Sequence, residues 1–285
     1  MPPPFNPPLS IAEIKDAFPD LSIDTALQPG GQGSVFTINT ATSNKAVLKI
    51  YSQDTALIRI RHEIEALKEI ESKYIVKLYD YGEVALRNSQ LKFSIMEYIS
   101  GNEATQLLAK LSLVEIKRAL HDISLGIEIL WDKRIVHRDI KPGNIIRRDN
   151  GDFVIIDLGI AKHLDRTVAT KTGSWLGTPG YMSPEQAAGR RALTFKSDLF
   201  CLGILIYELA SGNNPFVRNQ NLINVLRTLP SLKSFVNTID DSTSDIVDKL
   251  LQFSPLDRPR FCREVYSMLG GKKCILKILI LSGVS

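Results

Sequence analysis

The chain changes its hydrophobic period near residue 100. Between residues 23 and 51, apolar β-formers run in strand-like stretches broken by a glycine cluster and by "TATSN". Two further strand-like runs follow, "YIVKLYDYG" and "LKFSIMEYI". Only "TALIRIRHEIEALKEIES" departs from this pattern, because Ile60, Ile64 and Leu67 fall on one face at helical spacing. That stretch is expected to be a helix lying on the sheet. Beyond Gly101 helical periodicity takes over, at 112–133, 197–211, 242–253 and 260–269. A chain divided in this way is expected to fold as α+β: a small β-rich lobe joined near 97–101 to a larger helical lobe. Junctions between lobes favour ligand sites.

The first ten residues, "MPPPFNPPLS", contain neither a basic nor an apolar signal region, and their prolines favour an extended, mobile lead-in. Ser10 followed by Glu13 reads as a capping box that opens a short helix through Phe18. No stretch reaches the roughly 18 apolar residues of a membrane span. The apolar tail "CILKILILSGVS" is short and interrupted by Lys277. Three scattered cysteines form no metal or disulfide pattern, so reduced thiols in a cytoplasmic protein are expected. A net charge of +4 over 285 residues does not argue for nucleic acid.

Three stretches carry candidate chemistry. In "QPGGQGSVF", Gly30 and Gly33 would let backbone N–H groups approach phosphate oxygens, with Val35 two residues on. Gln28 stands where such a loop would have its first glycine, and Gly30-Gly31 alone would also suit a hairpin turn. In "AVLKIY", Lys49 sits in an apolar strand, where an inward lysine needs an anionic partner. Glu63 is the first choice and Glu65 the alternative. The third stretch, "HRDIKPGN" at 137–144, is followed thirteen residues after Asn144 by Asp157 of "IIDLG". A solvated turn could hold those polar groups. Equally, one aspartate and one asparagine suffice for a hard cation such as magnesium, which keeps most of its waters.

Together, and in this order, these motifs resemble the eukaryotic-type (Hanks-type) protein kinases over residues 22–270, most closely the bacterial serine/threonine members. The resemblance implies an N-terminal lobe at 22–96, a hinge at 97–101, a C-terminal lobe at 102–270, and a tail of unknown role at 271–285. It implies ATP and Mg²⁺, with Asp139 receiving or orienting the substrate hydroxyl and Lys141 reaching the transferred group. Lys49, paired with Glu63, would hold phosphates, and Asn144 and Asp157 would hold metal. Gln28, Gly30, Gly33, Val35, Val47 and Ile146 would line the nucleotide site. Met96 would be the gatekeeper, and the Glu97 and Ile99 backbones would meet adenine. Glu185 of "SPE" would pair with Arg258, Asp198 would brace the catalytic loop, and His137 would be structural.

Lys141 and Thr178 of "GTPGY" imply specificity for serine and threonine in protein substrates. Arg138 would receive a phosphate, for which Thr167, Thr170, Thr172 and Ser174 are available, so self-association for trans-autophosphorylation is expected. A nucleotide-binding scaffold and a small-molecule phosphotransferase are the competing readings. The second generally lacks a segment like "GTPGYMSPE".

Overall fold

A computed structural model describes residues 5–27, 33–40, 44–53, 55, 57–158, 162–163, 177–190, 192–217 and 222–269. Contacts divide the chain into two compact units. Met1–Glu71 with Val76–Ile99 forms the first, and Ser72–Ile75 with Ser100–Ser285 forms the second.

The first unit opens with α1 (Ile11–Ala17), started by a complete capping box. Ser10 Oγ accepts the Glu13 N–H at 3.2 Å, and Glu13 Oε2 accepts the Ser10 N–H at 2.8 Å. Strands β1 (Ser22–Ala26), β2 (Gly33–Asn39) and β3 (Lys45–Tyr51) precede α2 (Leu57–Lys68), which leads to β4 (Leu78–Leu86) and β5 (Ser89–Glu97). They form one antiparallel sheet in the order β1-β2-β3-β5-β4. The two-residue period of a strand splits β3 between two faces. Ala46, Leu48 and Ile50 join a core with Phe36, Ile38 and Ile95. On the other face Tyr51 packs with Ile60 and Ile64 of α2. The lead-in departs from expectation at Leu9, which is buried in the first of these cores beside Ile14 of α1. Removing such aliphatic surface from water outweighs the extended tendency of the prolines around it.

In the second unit, β6 (Gly101–Glu103) precedes α3 (Leu113–Asp132), β7 (Ile135–Val136), β8 (Ile145–Arg148), β9 (Phe153–Ile155) and β10 (Lys162–His163). Next come α4 (Pro184–Ala187), α5 (Phe195–Ser211), α6 (Leu222–Thr228), α7 (Leu232–Phe235), α8 (Asp241–Leu250) and α9 (Cys262–Met268). Helix α5 is buried nearly all round from Phe195 to Leu209, as suits a helix apolar on every side. It starts two residues earlier than its apolar pattern suggests, because the Thr194 side chain caps it. Gly203 lets α8 approach, since a Cβ there would lie 2.9 Å from the Leu250 Cβ. Cys201 of α5 and Cys262 of α9 are buried free thiols.

Ser72–Ile75 joins the second unit although it lies in sequence between elements of the first. Ile75 bridges Ile155 in parallel, and the Ile155 N–H donates to the Tyr74 carbonyl at 2.9 Å. Among the described residues, no helix is long and apolar enough to cross a membrane.

Candidate active site

Within the first unit, β3 and α2 bring a cation and an anion together under cover. Lys49 Nζ lies 2.9 Å from Glu63 Oε1, and both residues are buried. The ammonium also lies 4.9 Å from the centre of the Tyr51 ring. Glu65 is half-buried on the same helix. Cross-strand register puts Val35 opposite Lys49, and Val47 opposite Met96, all on the face that carries Lys49. Met96 and Ile99 are buried, and the Glu97 N–H donates to the Lys77 carbonyl at 2.8 Å. Gly33 has a local reason to be glycine: a Cβ there would fall 2.1 Å from the Ile50 carbonyl oxygen. Gln28 and Gly30 lie outside the described residues.

Within the second unit, the segment 137–144 gathers its polar groups around one carboxylate. Asp139 Oδ1 accepts the Thr178 hydroxyl at 2.7 Å and the Thr178 N–H at 3.0 Å. Asp139 Oδ2 lies 2.7 Å from Lys141 Nζ and accepts from Asn144 Nδ2 at 3.2 Å. Lys141 also donates to Thr178 Oγ1 at 2.6 Å. Asn144 Nδ2 donates to the Asp139 carbonyl at 2.8 Å, and the Asn144 carbonyl accepts the Ile156 N–H at 3.0 Å. That last bond ties Asn144 to the neighbour of Asp157, which is half-buried. Ile146, also half-buried, stands opposite Val154 in the β8–β9 pair.

This loop is held from beneath. Arg138 has φ 69°, a left-handed conformation that costs a non-glycine residue roughly 1–2 kcal/mol. Asp198 of α5, wholly buried, accepts the His137 N–H at 2.8 Å and the Arg138 N–H at 2.7 Å. Burial pushes its carboxyl up to about 7, against those two bonds, which favour the anion. Burial also lowers the His137 pKa, keeping the imidazole neutral, and its Nδ1 accepts the Asp139 N–H at 3.2 Å.

Gln186, which no sequence motif pointed to as a site residue, donates from Nε2 to the Arg138 carbonyl at 2.9 Å. Its local signal is the S-x-x-Q capping box: its Oε1 accepts the Ser183 N–H at 3.1 Å.

Glu185 and Arg258 form a buried two-pronged pair, with Nη1 to Oε1 at 2.7 Å and Nη2 to Oε2 at 3.0 Å. Arg258 further donates to the carbonyls of Gln252, Lys196 and Phe253. Burial would raise the Glu185 pKa, but the Arg258 bonds more than offset it and hold the carboxyl below its ordinary range. Tyr181 Oη donates to Glu208 Oε2 at 2.5 Å, and the Tyr181 N–H donates to the Thr178 carbonyl at 3.0 Å. Thr167, Thr170, Thr172 and Ser174 lie outside the described residues.

A carboxylate crossed by an amide, an ammonium and a hydroxyl is equipped to orient a hydroxyl group and take its proton. The protein kinase domain family matches residues 23–268. The chain belongs to that family. Relatives named as serine/threonine-protein kinases agree. One, drp72 of Corynebacterium efficiens, is 34% identical over 218 residues, covering 72% of this chain and 41% of that protein. PknA of Corynebacterium glutamicum is 32% identical over 217 residues, or 71% and 45% of the two chains. PrkC of Bacillus subtilis is 33% identical over 242 residues, or 80% and 37%. This kinase-family chain therefore spans less than half the length of each of these curated relatives.

Proposed function

We propose that this kinase-family chain transfers the γ-phosphoryl group of ATP to serine and threonine hydroxyls of proteins. The observation that carries this reading is the Asp139 carboxylate held jointly by Thr178, Lys141 and Asn144. Asp139 orients the acceptor hydroxyl and receives its proton as oxygen bonds to the γ-phosphorus and the bond to the β–γ bridging oxygen breaks. Lys141 offsets negative charge at the transferred group. Lys49, paired with Glu63, holds the α- and β-phosphates, and Val35, Val47, Met96 and Ile146 supply apolar lining for the base.

Asn144 and Asp157 suit magnesium by the chemistry of their donors. Both offer hard oxygens, and the amide NH₂ of Asn144 is already spent on Asp139, which leaves its oxygen as the free end. When bound, magnesium neutralises charge on the phosphate oxygens. Thr170 and Thr172 are the proposed self-phosphorylation sites, modified by another copy of the chain, with Arg138 as the charge that would receive the phosphate. The free, buried Cys201 and Cys262 suit a reducing, cytoplasmic setting.

The test is incubation with ATP, Mg²⁺ and a mixed Ser/Thr/Tyr peptide library, followed by mass spectrometry, with Asp139→Asn alongside. Phosphate is expected on serine and threonine only, and the variant should be slower by roughly 10²–10⁴-fold, the range for losing a general base. Nucleotide binding without transfer in the parent would overturn the reading.

A further inference from the structure

Residues 5–18 precede the stretch that matches the kinase family, which begins at residue 23. They are nonetheless built into the first unit. The order β1-β2-β3-β5-β4 leaves β1 and β4 as the two edges of the sheet, and α1 packs against both. Leu9 and Ile14 enter the core on the same face of the sheet, and the Phe18 ring meets Phe93 edge-on at 5.0 Å.

The polar side of this contact depends on one residue. β4 and β5 are joined by a two-residue turn, Arg87 at φ 48° and Asn88 at φ 59°. Left-handed values at both positions are what a type I′ hairpin requires, and Asn-Gly or Asp-Gly is the usual occupant. The arginine is therefore placed against its own backbone preference. From the turn its guanidinium donates four bonds. Nε reaches Glu13 Oε1 at 2.6 Å, and Nη2 reaches Glu13 Oε2 and the Pro8 carbonyl, each at 3.0 Å. Nη1 reaches the Pro7 carbonyl at 2.6 Å. The first turn of α1 and the chain entering it are thus held to the tip of the β4–β5 hairpin. A planar fork can make this set of bonds, and a point charge cannot.

The strand beneath links this contact to the site. Ala46, Leu48 and Ile50 of β3 lie in the core that α1 helps to cover, while Val47 and Lys49 alternate onto the opposite face. We propose that residues 7–18 are a clasp that closes the sheet of the first unit, and that Arg87 is its latch. Arg87 is then a positioning residue for the strand that carries Lys49. The effect on nucleotide use rests on the kinase reading above; the clasp does not.

The experiment compares the full chain with Arg87→Ala, with Arg87→Lys, and with Arg263→Ala as a control, since Arg263 forms an exposed ion pair with Glu128 in the second unit. Amide hydrogen exchange is followed in α1 and β1, and ATP kinetics are measured in parallel. Exchange in both elements is expected to rise about tenfold in Arg87→Ala, as local opening becomes easier. The KM for ATP should rise about threefold at unchanged kcat, the result of a closed fraction falling to about a third. Arg87→Lys should recover only part of either change, and Arg263→Ala should match the parent. Unmoved exchange in Arg87→Ala, full rescue by lysine, or raised exchange with an unmoved KM would each overturn the proposal. A parent with no phosphotransfer would sink the kinase reading instead, leaving the exchange measurements to decide the clasp.

Discussion

Single residues in this chain matter according to how many bonds would be orphaned by their loss. Arg258 is buried and makes five hydrogen bonds, two of them to a carboxylate that is itself out of water. Truncating it would strand the Glu185 charge and three backbone carbonyls, so Arg258→Ala should destabilise the protein by about 3–5 kcal/mol. Urea unfolding checks this, and a shift below 1 kcal/mol would contradict it. Arg87 makes four bonds at an exposed turn, and its loss leaves acceptors that water can satisfy. Asp139 differs from both, because under the proposed function its partners converge on the group that meets the substrate. A Gln186 bond to the Arg138 carbonyl could not be read from sequence. The two residues are far apart in the chain, and the only local signal, the capping box, explains Gln186 without it.

Elements with enough turns or alternations to show a period were legible: α2, α3, α5 and the five strands of the first unit. Strands β6 to β10 were not, since runs of two to four residues carry no periodicity, and their pairing is set by distant partners. The capping box announced α1, but not its docking. With seven residues and one buried side chain, Ile14, it shows too little of an apolar face to say what it covers. That helix carries a pH signature. The Arg87 bonds, aided by Ser10, hold Glu13 down to about 2 from an ordinary 4.5. A carboxyl that is more acidic when folded adds stability above pH 4.5 and loses that contribution as pH falls towards 2. Exchange in α1 is expected to rise over that window ahead of exchange in α5, and Glu13→Gln should flatten the difference. Equal acid sensitivity of the two helices would contradict the assignment.

At the scale of the whole molecule, the two units are not consecutive segments. The chain passes between them after Glu71, after Ile75 and after Ile99. The sequence pattern, which changes once near residue 100, carries no sign of the short return at 72–75. The practical test is Ile75→Ala. Although the residue lies within the first hundred, its loss should cost about 2–5 kcal/mol and should be felt in β9, whose Ile155 it bridges. Exchange confined to α2 and β4 would show that the segment belongs elsewhere. The sulfur atoms described above supply a chemical reporter for such openings. Cys201 and Cys262 are sealed in helices α5 and α9, and burial pushes both thiols well above their ordinary range. Neither can form a thiolate for an alkylating reagent until the second unit opens. With Cys274, the third cysteine of the chain, replaced by serine, the rate of alkylation becomes a clock for that opening, read by mass alone and independent of nucleotide, substrate or phosphate.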